Sequence, residues 1–226
     1  MLTAEMVQSP VCFSCLTLDD LRITRPDGSS LMEASQVCIR SGVTALLGSN
    51  GSGKSTLLRT LAALQPVKRG TILLDGLDPV RNRSAYLERL VFLPQNFAVY
   101  PDLTGREFLA YALRLRGAGR AETRTATSAW LDAVGLRHAA DTKTGAYSQG
   151  MRQRLGFAYA MQLDVALYLL DEPFAGVDPE SRDTMTDLLF RLGEDRIVIV
   201  STHHVEEMFV RGAAVVRIAE GSLVAE

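Results

Sequence analysis

Residues 48 to 55 read Gly48-Ser49-Asn50-Gly51-Ser52-Gly53-Lys54-Ser55. The stretch fits the pattern G-x-x-x-x-G-K-[ST], with an apolar run at 43–47 before it and a helical pattern after it. Its glycines let backbone N–H groups converge on a phosphate chain, and the N-terminus of the following helix adds a positive dipole end. The segment therefore predicts a phosphate-binding loop between a buried strand and a helix.

Side chains at the end of this loop predict the chemistry of its ligand. Lys54 would reach the β- and γ-phosphates of a nucleotide, and the hydroxyl of Ser55 would ligate Mg²⁺. Thr56 follows them at the start of the helical pattern. Kinases, GTPases, helicases and motor ATPases all carry such a loop, so residues elsewhere in the chain must distinguish among them.

Outside the loop, the pattern predicts an α/β fold with a parallel-sheet core. Short apolar runs, each followed by a Gly-rich or acidic loop and a helical pattern, are typical of a parallel sheet covered on both faces. Residues 11–25 and 31–40 alternate around the turn signal Pro26-Asp27-Gly28-Ser29, which predicts an N-terminal antiparallel β subdomain. The predicted core strands are 43–47, 70–75, 90–93, 166–170, 196–200 and 213–219.

A helical insertion is predicted between Gln95 and Gly150, where the strand signals disappear. Residues 103–116 and 124–134 have helical spacing, and a further helix over 149–163 leads back into the core. We expect one domain over 1–226, in which 1–94 and 151–226 form the core and 95–150 the insertion.

The composition excludes several classes of protein. A length of 226 residues with 47% hydrophobic residues suits one large α/β domain. With 24 Lys and Arg against 26 Asp and Glu, the net charge of −2 argues against a nucleic-acid partner. No apolar run approaches the roughly 18 residues of a membrane span. The N-terminus lacks a secretory signal pattern and the chain has three cysteines, which predicts a cytoplasmic location.

Two adjacent acids follow an apolar run at 166–170, in the sequence Asp171-Glu172-Pro173. An acid at the end of a core strand beside a phosphate loop suits Mg²⁺ binding, which we assign to Asp171. Glu172 could polarise a water for in-line attack on the γ-phosphate. The alternative is that these residues only form a turn at the end of the strand, capped by Pro173. The presence of the phosphate loop makes this alternative the weaker interpretation.

A histidine pair follows the apolar run at 197–200, within Ser201-Thr202-His203-His204. A histidine just past a core strand can donate to a γ-phosphate whose charge shifts during transfer. We assign this role to His203. The competing interpretation, an exposed histidine at a strand-to-helix junction, is the one we favour for His204.

Together these motifs resemble those of the ATP-binding cassette (ABC) ATPases over nearly the whole chain. Residues 147–154, YSQGMRQR, are similar to the LSGGQ-type signature followed by RQR, which is specific to that family among P-loop proteins. Gln95 matches the Q-loop of the family, residues 175–178 match the D-loop, and His203 matches the switch histidine.

The resemblance implies an ATPase that uses ATP and Mg²⁺ and works as an ATP-dependent, head-to-tail homodimer. Residues 48–56 would hold ATP in one cassette, and Gln95 would touch Mg²⁺ and the attacking water. The partner cassette would cover the same ATP through residues that match the signature and the D-loop. These predicted contacts in trans are Ser148, Gln149, Gly150 and Asp178.

This chain departs from the family pattern at several positions. Arg25 occupies the position of the aromatic residue that stacks on adenine, 23 residues before Gly48; it could stack there itself or be a solvated charge at a strand end. Gln149 replaces the first signature glycine, which preserves backbone contacts only if its φ is negative. Met151 replaces the signature glutamine, and Ser49 the usual proline of the loop. Ala175-Gly176 replaces the commoner D-loop pairs.

A cassette without a membrane span implies separate transmembrane subunits and a peripheral position at the inner face of the membrane. Residues 96–104 carry several apolar or aromatic side chains, which is typical of a docking surface. Ordinary packing of the insertion against the core is the alternative explanation. The sequence of this region resembles the cassettes of bacterial ABC-2-type and multidrug exporters, so we expect export.

Other functions fit the sequence less well. A non-transport ABC ATPase that regulates an envelope or assembly protein is the main alternative; nucleic-acid-associated ABC proteins and P-loop kinases lack support in the motifs. Cys12 and Cys15 have C-x-x-C spacing without a second pair or a His cluster, so we expect core or edge cysteines rather than a zinc site. Trp130 is interpreted as a packing residue.

Overall fold

The computed structural model describes residues 14–25, 29–203 and 205–225. The predicted turn at Pro26–Gly28, His204 and Cys12 lie outside these residues. The strands are β1 Cys15–Thr24, β2 Ser30–Arg40, β3 Gly42–Leu47, β4 Arg69–Leu74, β5 Leu90–Leu93, β6 Leu167–Asp171, β7 Ile197–Ser201, β8 Ala214–Ala219 and β9 Ser222–Ala225. The α-helices are α1 Lys54–Leu61, α2 Arg83–Glu88, α3 Gly105–Leu115, α4 Arg120–Ala133, α5 Gln149–Met161, α6 Pro179–Gly193 and α7 Val205–Val210.

The strands form a nine-stranded sheet in the order β4-β1-β2-β9-β8-β3-β7-β6-β5. From β8 to β5 the neighbouring strands are parallel. At the other end, β1 pairs antiparallel with both β2 and β4. The predicted α/β fold with a parallel core and an N-terminal antiparallel part is confirmed.

One strand lies elsewhere than predicted. Residues 70–75 were expected in the parallel core, but β4 is the outer edge strand and pairs antiparallel with β1. Its side chains explain the error, because Ile72 and Leu74 are buried whereas Leu73 between them is partly exposed. A short apolar run does not by itself distinguish such a one-sided strand from a strand buried on both faces.

The parallel strands separate two hydrophobic cores. In β3, Val43 and Ala45 belong to the first core and Leu46 to the second. In β7, Val198 belongs to the first core and Ile199 to the second. Side chains alternate across a strand, so a sheet covered on both faces must be apolar at successive positions. Helix α1 buries its apolar side chains in the second core, against the antiparallel strands.

Helices α3, α4 and α5 pack around the first core. Helix α3 begins with a capping box, in which the Thr104 side chain accepts from the backbone N–H of Glu107 and the Glu107 carboxylate accepts from that of Thr104. Helix α4 starts four residues before the predicted boundary, and the prediction gave no bounds for α2, α6, α7 or β9. In the described part of the chain, no helix is both long and apolar enough to cross a bilayer.

We expect Tyr86→Phe to lower the free energy of unfolding by about 1–2 kcal/mol, because it leaves a buried carbonyl unpaired. The hydroxyl of Tyr86 in α2 donates to the carbonyl of Leu61, the last residue of α1, at 2.6 Å, and the side chain is fully buried. Urea denaturation measures the change. Tyr111→Phe is the matched control, since Tyr111 is 48% exposed; equal effects of both substitutions would contradict the expectation.

Candidate functional site

The carboxyl ends of β3, β6 and β7 meet at one edge of the sheet and open onto a cavity of about 810 Å³. Open α/β sheets bind their ligands at this edge. The cavity is lined by Ile23, Thr24, Arg25, Leu31, Asn50, Gly51, Gly53, Lys54, Ser55, Thr56, Gln65, Pro66, Lys68, Gln95, Asp171, Glu172 and His203. The structure therefore brings most of the predicted loop together with Gln95, both acids and His203.

The loop before α1 depends on glycine at Gly53. This residue is the N-cap of α1 with φ of 106°, in the left-handed region that favours glycine. A Cβ there would also lie 2.7 Å from Cε of Met32 and 2.9 Å from Cδ2 of Leu31. Strand β2 thus packs directly beneath the loop, and a side chain at this position would require the Leu31 and Met32 side chains to shift.

The loop presents donors that fit a phosphate chain. The Lys54 ammonium donates to the carbonyls of Gly48 at 2.7 Å and Ser49 at 3.3 Å, so it lies over the loop. The hydroxyl of Ser52 is buried and has no hydrogen-bond partner among the described residues. A buried polar group without a partner costs free energy, which an anionic ligand accepting from it would relieve.

Asp171 and Glu172 are held by Ser201, which sequence reasoning missed. Ser201 lies opposite Asp171 in the β6–β7 register, and its hydroxyl donates to Oδ1 of Asp171 at 2.7 Å. The backbone N–H of Glu172 donates to the carbonyl of Ser201 at 3.1 Å and to the Ser201 hydroxyl at 3.0 Å. The sequence does carry a signal for Ser201, which is the polar residue directly after the apolar run at 197–200.

The backbone of Glu172 is held from the other side as well. Its φ of 50° is in the left-handed region, which costs free energy for a residue with a side chain. The carbonyl of Glu172 accepts from Nε2 of Gln153 at 3.1 Å, and Gln153 is buried in α5. The hydrogen bond that Glu172 accepts from Gln153 and those that it donates to Ser201 therefore stabilise the strained conformation that aims the Glu172 side chain.

The surroundings of the Glu172 carboxylate suit it to accept a proton. The side chain is 13% exposed, and its Oε1 lies 3.2 Å from Nε2 of His203. Burial is the main cause that raises the pKa of Glu172, with a smaller contribution from Asp171; electrostatic interactions with His203 and Lys54 act in the opposite direction. A carboxylate with a raised pKa is a stronger base than an exposed glutamate.

The polar residues of the cavity fit Mg²⁺. Ser55, Gln95 and Asp171, which line the same cavity, offer a hydroxyl, an amide and a carboxylate oxygen, and oxygen is the ligand that Mg²⁺ prefers. Within the described ranges there is no cluster of three or more His, Cys, Asp or Glu side chains that could hold a metal. The mixed oxygen set suits a cation that is bound together with phosphates.

The antiparallel strands supply one end of the cavity. Arg25 lies at the end of β1, is exposed, and donates to the Ser30 carbonyl at 3.0 Å. Its position beside the cavity is compatible with stacking on a base, which stays a prediction. Ile23 and Leu31 add apolar surface nearby. Sequence reasoning missed these two residues, although both are apolar and flank the predicted turn.

The predicted trans contacts lie outside this cavity. Ser148 is the N-cap of α5, and its hydroxyl accepts from the backbone N–H of Met151 at 3.2 Å. Gln149 is the first residue of that helix, so its φ is negative as its replacement of glycine requires. Gly150 cannot carry a side chain easily, because its Cβ would lie 2.8 Å from the carbonyl of Gly176. Ser148 and Gln149 are exposed, and their contact with a partner cassette stays a prediction.

Asp178 has a structural role within its own chain. It is the N-cap of α6, where its Oδ1 accepts from the backbone N–H of Ser181 at 2.9 Å. The same hydrogen bond lowers the pKa of Asp178. Its predicted contribution across a dimer interface is an additional role, which stays a prediction.

Comparisons with known proteins agree with this geometry. Residues 32–175 match the model of a family described as ABC transporter. The chain is 36% identical over 181 residues to human "Retinal-specific phospholipid-transporting ATPase ABCA4", which covers 80% of this chain and 8% of that protein. It is 31% identical over 184 residues to "ABC transporter ATP-binding protein NatA" of Bacillus subtilis (strain 168), which covers 80% of this chain and 75% of that protein.

A solved structure described as the ATP-binding subunit of an ABC transporter has the same fold. It superposes with a TM-score of 0.85 at 24% identity, over 93% of this chain and 89% of that one. The chain spans only a small part of the larger relative, since its match covers 8% of human ABCA4.

The raised pKa of Glu172 predicts the pH dependence of nucleotide hydrolysis. Because a base must be deprotonated, activity is lost as the pH falls through the pKa of Glu172, and burial moves that loss to a higher pH than for an exposed glutamate. Profiles of kcat/KM against pH measure the acid limb. Asp78→Asn, which changes a carboxylate outside the cavity, should leave the limb in place; a wild-type limb at the position of an exposed glutamate would contradict the assignment.

Proposed function

This chain belongs to the ABC transporter family and is an ATPase domain of that family, and from this premise we propose that it powers export through a separate transmembrane partner. The observation that carries the assignment of the catalytic site is the juxtaposition of the loop at 48–56 with Asp171, Glu172 and His203 around one cavity. Mg²⁺, held through Ser55, Gln95 and Asp171, would supply positive charge to the phosphates.

Four side chains of the cavity have parts in the proposed hydrolysis. Glu172 takes a proton from a water oriented by Gln95, and the water oxygen forms a bond to the γ-phosphorus as the bond to the β–γ bridging oxygen breaks, giving ADP and phosphate. Lys54 and the loop N–H groups neutralise the charge that develops on the phosphate oxygens. His203, whose Nε2 lies beside Glu172, donates a hydrogen bond to the same oxygens.

We further infer that two copies pair head to tail with ATP between them. The exposed side of the cavity and the exposed N-terminus of α5 are the surfaces that would meet. Backbone N–H groups at residues 148–150 and the positive end of the α5 dipole would face the γ-phosphate held by the partner. ATP would then hold the dimer together, and its hydrolysis would release the two chains.

Glu172→Gln should separate nucleotide binding from hydrolysis. The amide retains the shape of the side chain but accepts no proton, so kcat should fall by about a hundredfold or more while ATP is still bound. Sizing chromatography with ATP should then show an accumulated dimer. Glu88→Gln, at the exposed end of α2, is the matched control; a Glu172→Gln protein that stays monomeric with ATP and hydrolyses it normally would exclude Glu172 as the base.

An exposed apolar patch, formed by Tyr100 before α3 and by Tyr111 and Leu115 of α3, supports docking of a membrane partner. These side chains are 58%, 48% and 70% exposed, and the Tyr100 and Tyr111 rings pack edge to face 6.1 Å apart. Beneath them Phe108 is buried and contacts Phe97. Ordinary packing accounts for Phe97 and Phe108 but leaves the patch itself uncovered, as expected of an interaction surface.

Tyr111→Glu should prevent docking without changing the basal ATPase, because it places a charge in the patch and lies outside the nucleotide cavity. The measurement is binding of the purified protein to membrane vesicles from cells of its own source, and stimulation of its ATPase by them. Val80→Glu is the control, since Val80 is 75% exposed in the loop after β4. If Tyr111→Glu bound the vesicles as wild type does, the patch would not be the docking site.

The same vesicles distinguish transport from the alternative of a non-transport ABC ATPase. An ATPase that regulates an assembly or envelope protein would give no ATP-dependent movement of any solute across the membrane. Because no feature of the cavity selects a cargo, we assign cargo recognition to the transmembrane partner and place this chain at the inner face of the membrane.

A further inference from the structure

Two cysteines that are far apart in the sequence touch one another in the antiparallel part of the sheet. Cys15 begins β1 and Cys38 lies near the end of β2, and their Sγ atoms are 2.9 Å apart. Both are free thiols. The contact differs from the C-x-x-C pair that the sequence suggested, because Cys15 has Cys38 as its neighbour across the strands.

The strand register explains the contact. Cys15 lies opposite Arg40, and Cys38 lies opposite Thr17, so the two cysteines are diagonal neighbours on one face. The intervening Leu16 is fully buried on the other face. Cys15 and Cys38 therefore lie on the outer face of β1 and β2, where Cys38 is exposed and Cys15 is partly exposed. Small oxidants and reductants can reach the pair.

We propose that Cys15 and Cys38 are a redox modification site that interconverts between a dithiol and a disulfide joining β1 to β2. With hydrogen peroxide as oxidant, the Cys38 sulfur attacks one peroxide oxygen, which gives a sulfenic acid and one water. The Cys15 sulfur then attacks the Cys38 sulfur, the S–S bond forms, and a second water leaves. Two thiols and one peroxide thus give one disulfide and two waters, and an added dithiol reverses the change.

The environment sets the order of the two steps. Cys38 is the more exposed thiol and meets the oxidant first. Burial, followed by the hydrogen bond with Cys38, raises the pKa of Cys15 to about 11. Its contact with the Cys38 sulfur then makes it the resolving thiol. The proposed chemistry needs no movement of one strand past the other to bring the sulfurs together.

The location of the pair determines what its oxidation would affect. Cys15 lies next to β4 as well, because its backbone N–H donates to Oδ1 of Asp75 at 2.8 Å and its carbonyl accepts from the Asp75 N–H at 2.9 Å. The nucleotide cavity is lined from the opposite end of the β1–β2 pair, by Thr24, Arg25 and Leu31. A disulfide would therefore stabilise this part of the fold and leave nucleotide affinity nearly unchanged.

The experiment uses the full chain with Cys12→Ser, which removes the third thiol. After treatment with one equivalent of hydrogen peroxide, maleimide labelling should fall from two thiols to none, intact mass should show the loss of two hydrogen atoms, and peptide mapping should link Cys15 to Cys38. The melting temperature should rise by about 5 °C on oxidation, because the cross-link restricts the unfolded chain. Dithiothreitol should reverse all four changes.

A matched variant, Cys12→Ser with Cys38→Ser, carries Cys15 alone and should show neither the intramolecular disulfide nor the rise in melting temperature. The proposal is overturned if both thiols stay open to maleimide after peroxide, or if oxidation yields only cross-linked dimers. It is also overturned if the wild-type chain forms a disulfide through Cys12 in place of the Cys15–Cys38 bond.

Discussion

Two carboxylates, those of Asp171 and Glu172, stand side by side where a buried strand ends, and the surrounding residues offset the cost of that arrangement. Adjacent negative charges repel each other, and burial disfavours both. Electrostatic interactions with His203 and Lys54 favour the ionised form of Glu172, while Ser201 donates a hydrogen bond to Asp171. The two acids therefore have different surroundings although they are neighbours in the chain. Asp171 is buried and hydrogen-bonded, which suits cation binding, and Glu172 has a raised pKa, which suits proton transfer.

Strand β7 connects the two halves of this site. Its last residue, Ser201, lies opposite Leu46 of β3 on one side and Asp171 of β6 on the other. The phosphate loop follows β3 directly. Ser201 therefore lies, across the sheet, between the strand that leads into the loop and the first of the two acids. A shift of β7 by one residue would turn the Ser201 hydroxyl to the other face of the sheet. The apolar side chains that β7 buries in both cores hold this register, and packing thus determines the catalytic geometry.

The parts of the site that the sequence predicted are those encoded by neighbouring residues. The loop at 48–55, the acids at 171–172 and His203 each combine an apolar run with polar residues at its end, and such patterns depend only on local order. Strand β4 was misplaced because its local pattern does not show which strand it pairs with. The hydrogen bond from Gln153 to Glu172 and the contact between Cys15 and Cys38 arise from register and packing, which join distant segments and leave no mark in a local pattern.

Helix α5 links the surface expected to meet a partner with the catalytic base of its own chain. Its first residues, at 148–150, are those that would approach the partner's nucleotide, and Gln153 one turn later holds the carbonyl of Glu172. Gly150 also packs against Gly176, in the loop that follows Glu172. An α-helix moves as a rigid element over such a short distance, so a displacement at Ser148 also displaces Gln153. In the proposed dimer, nucleotide at one site would therefore influence how Glu172 is aimed at the other.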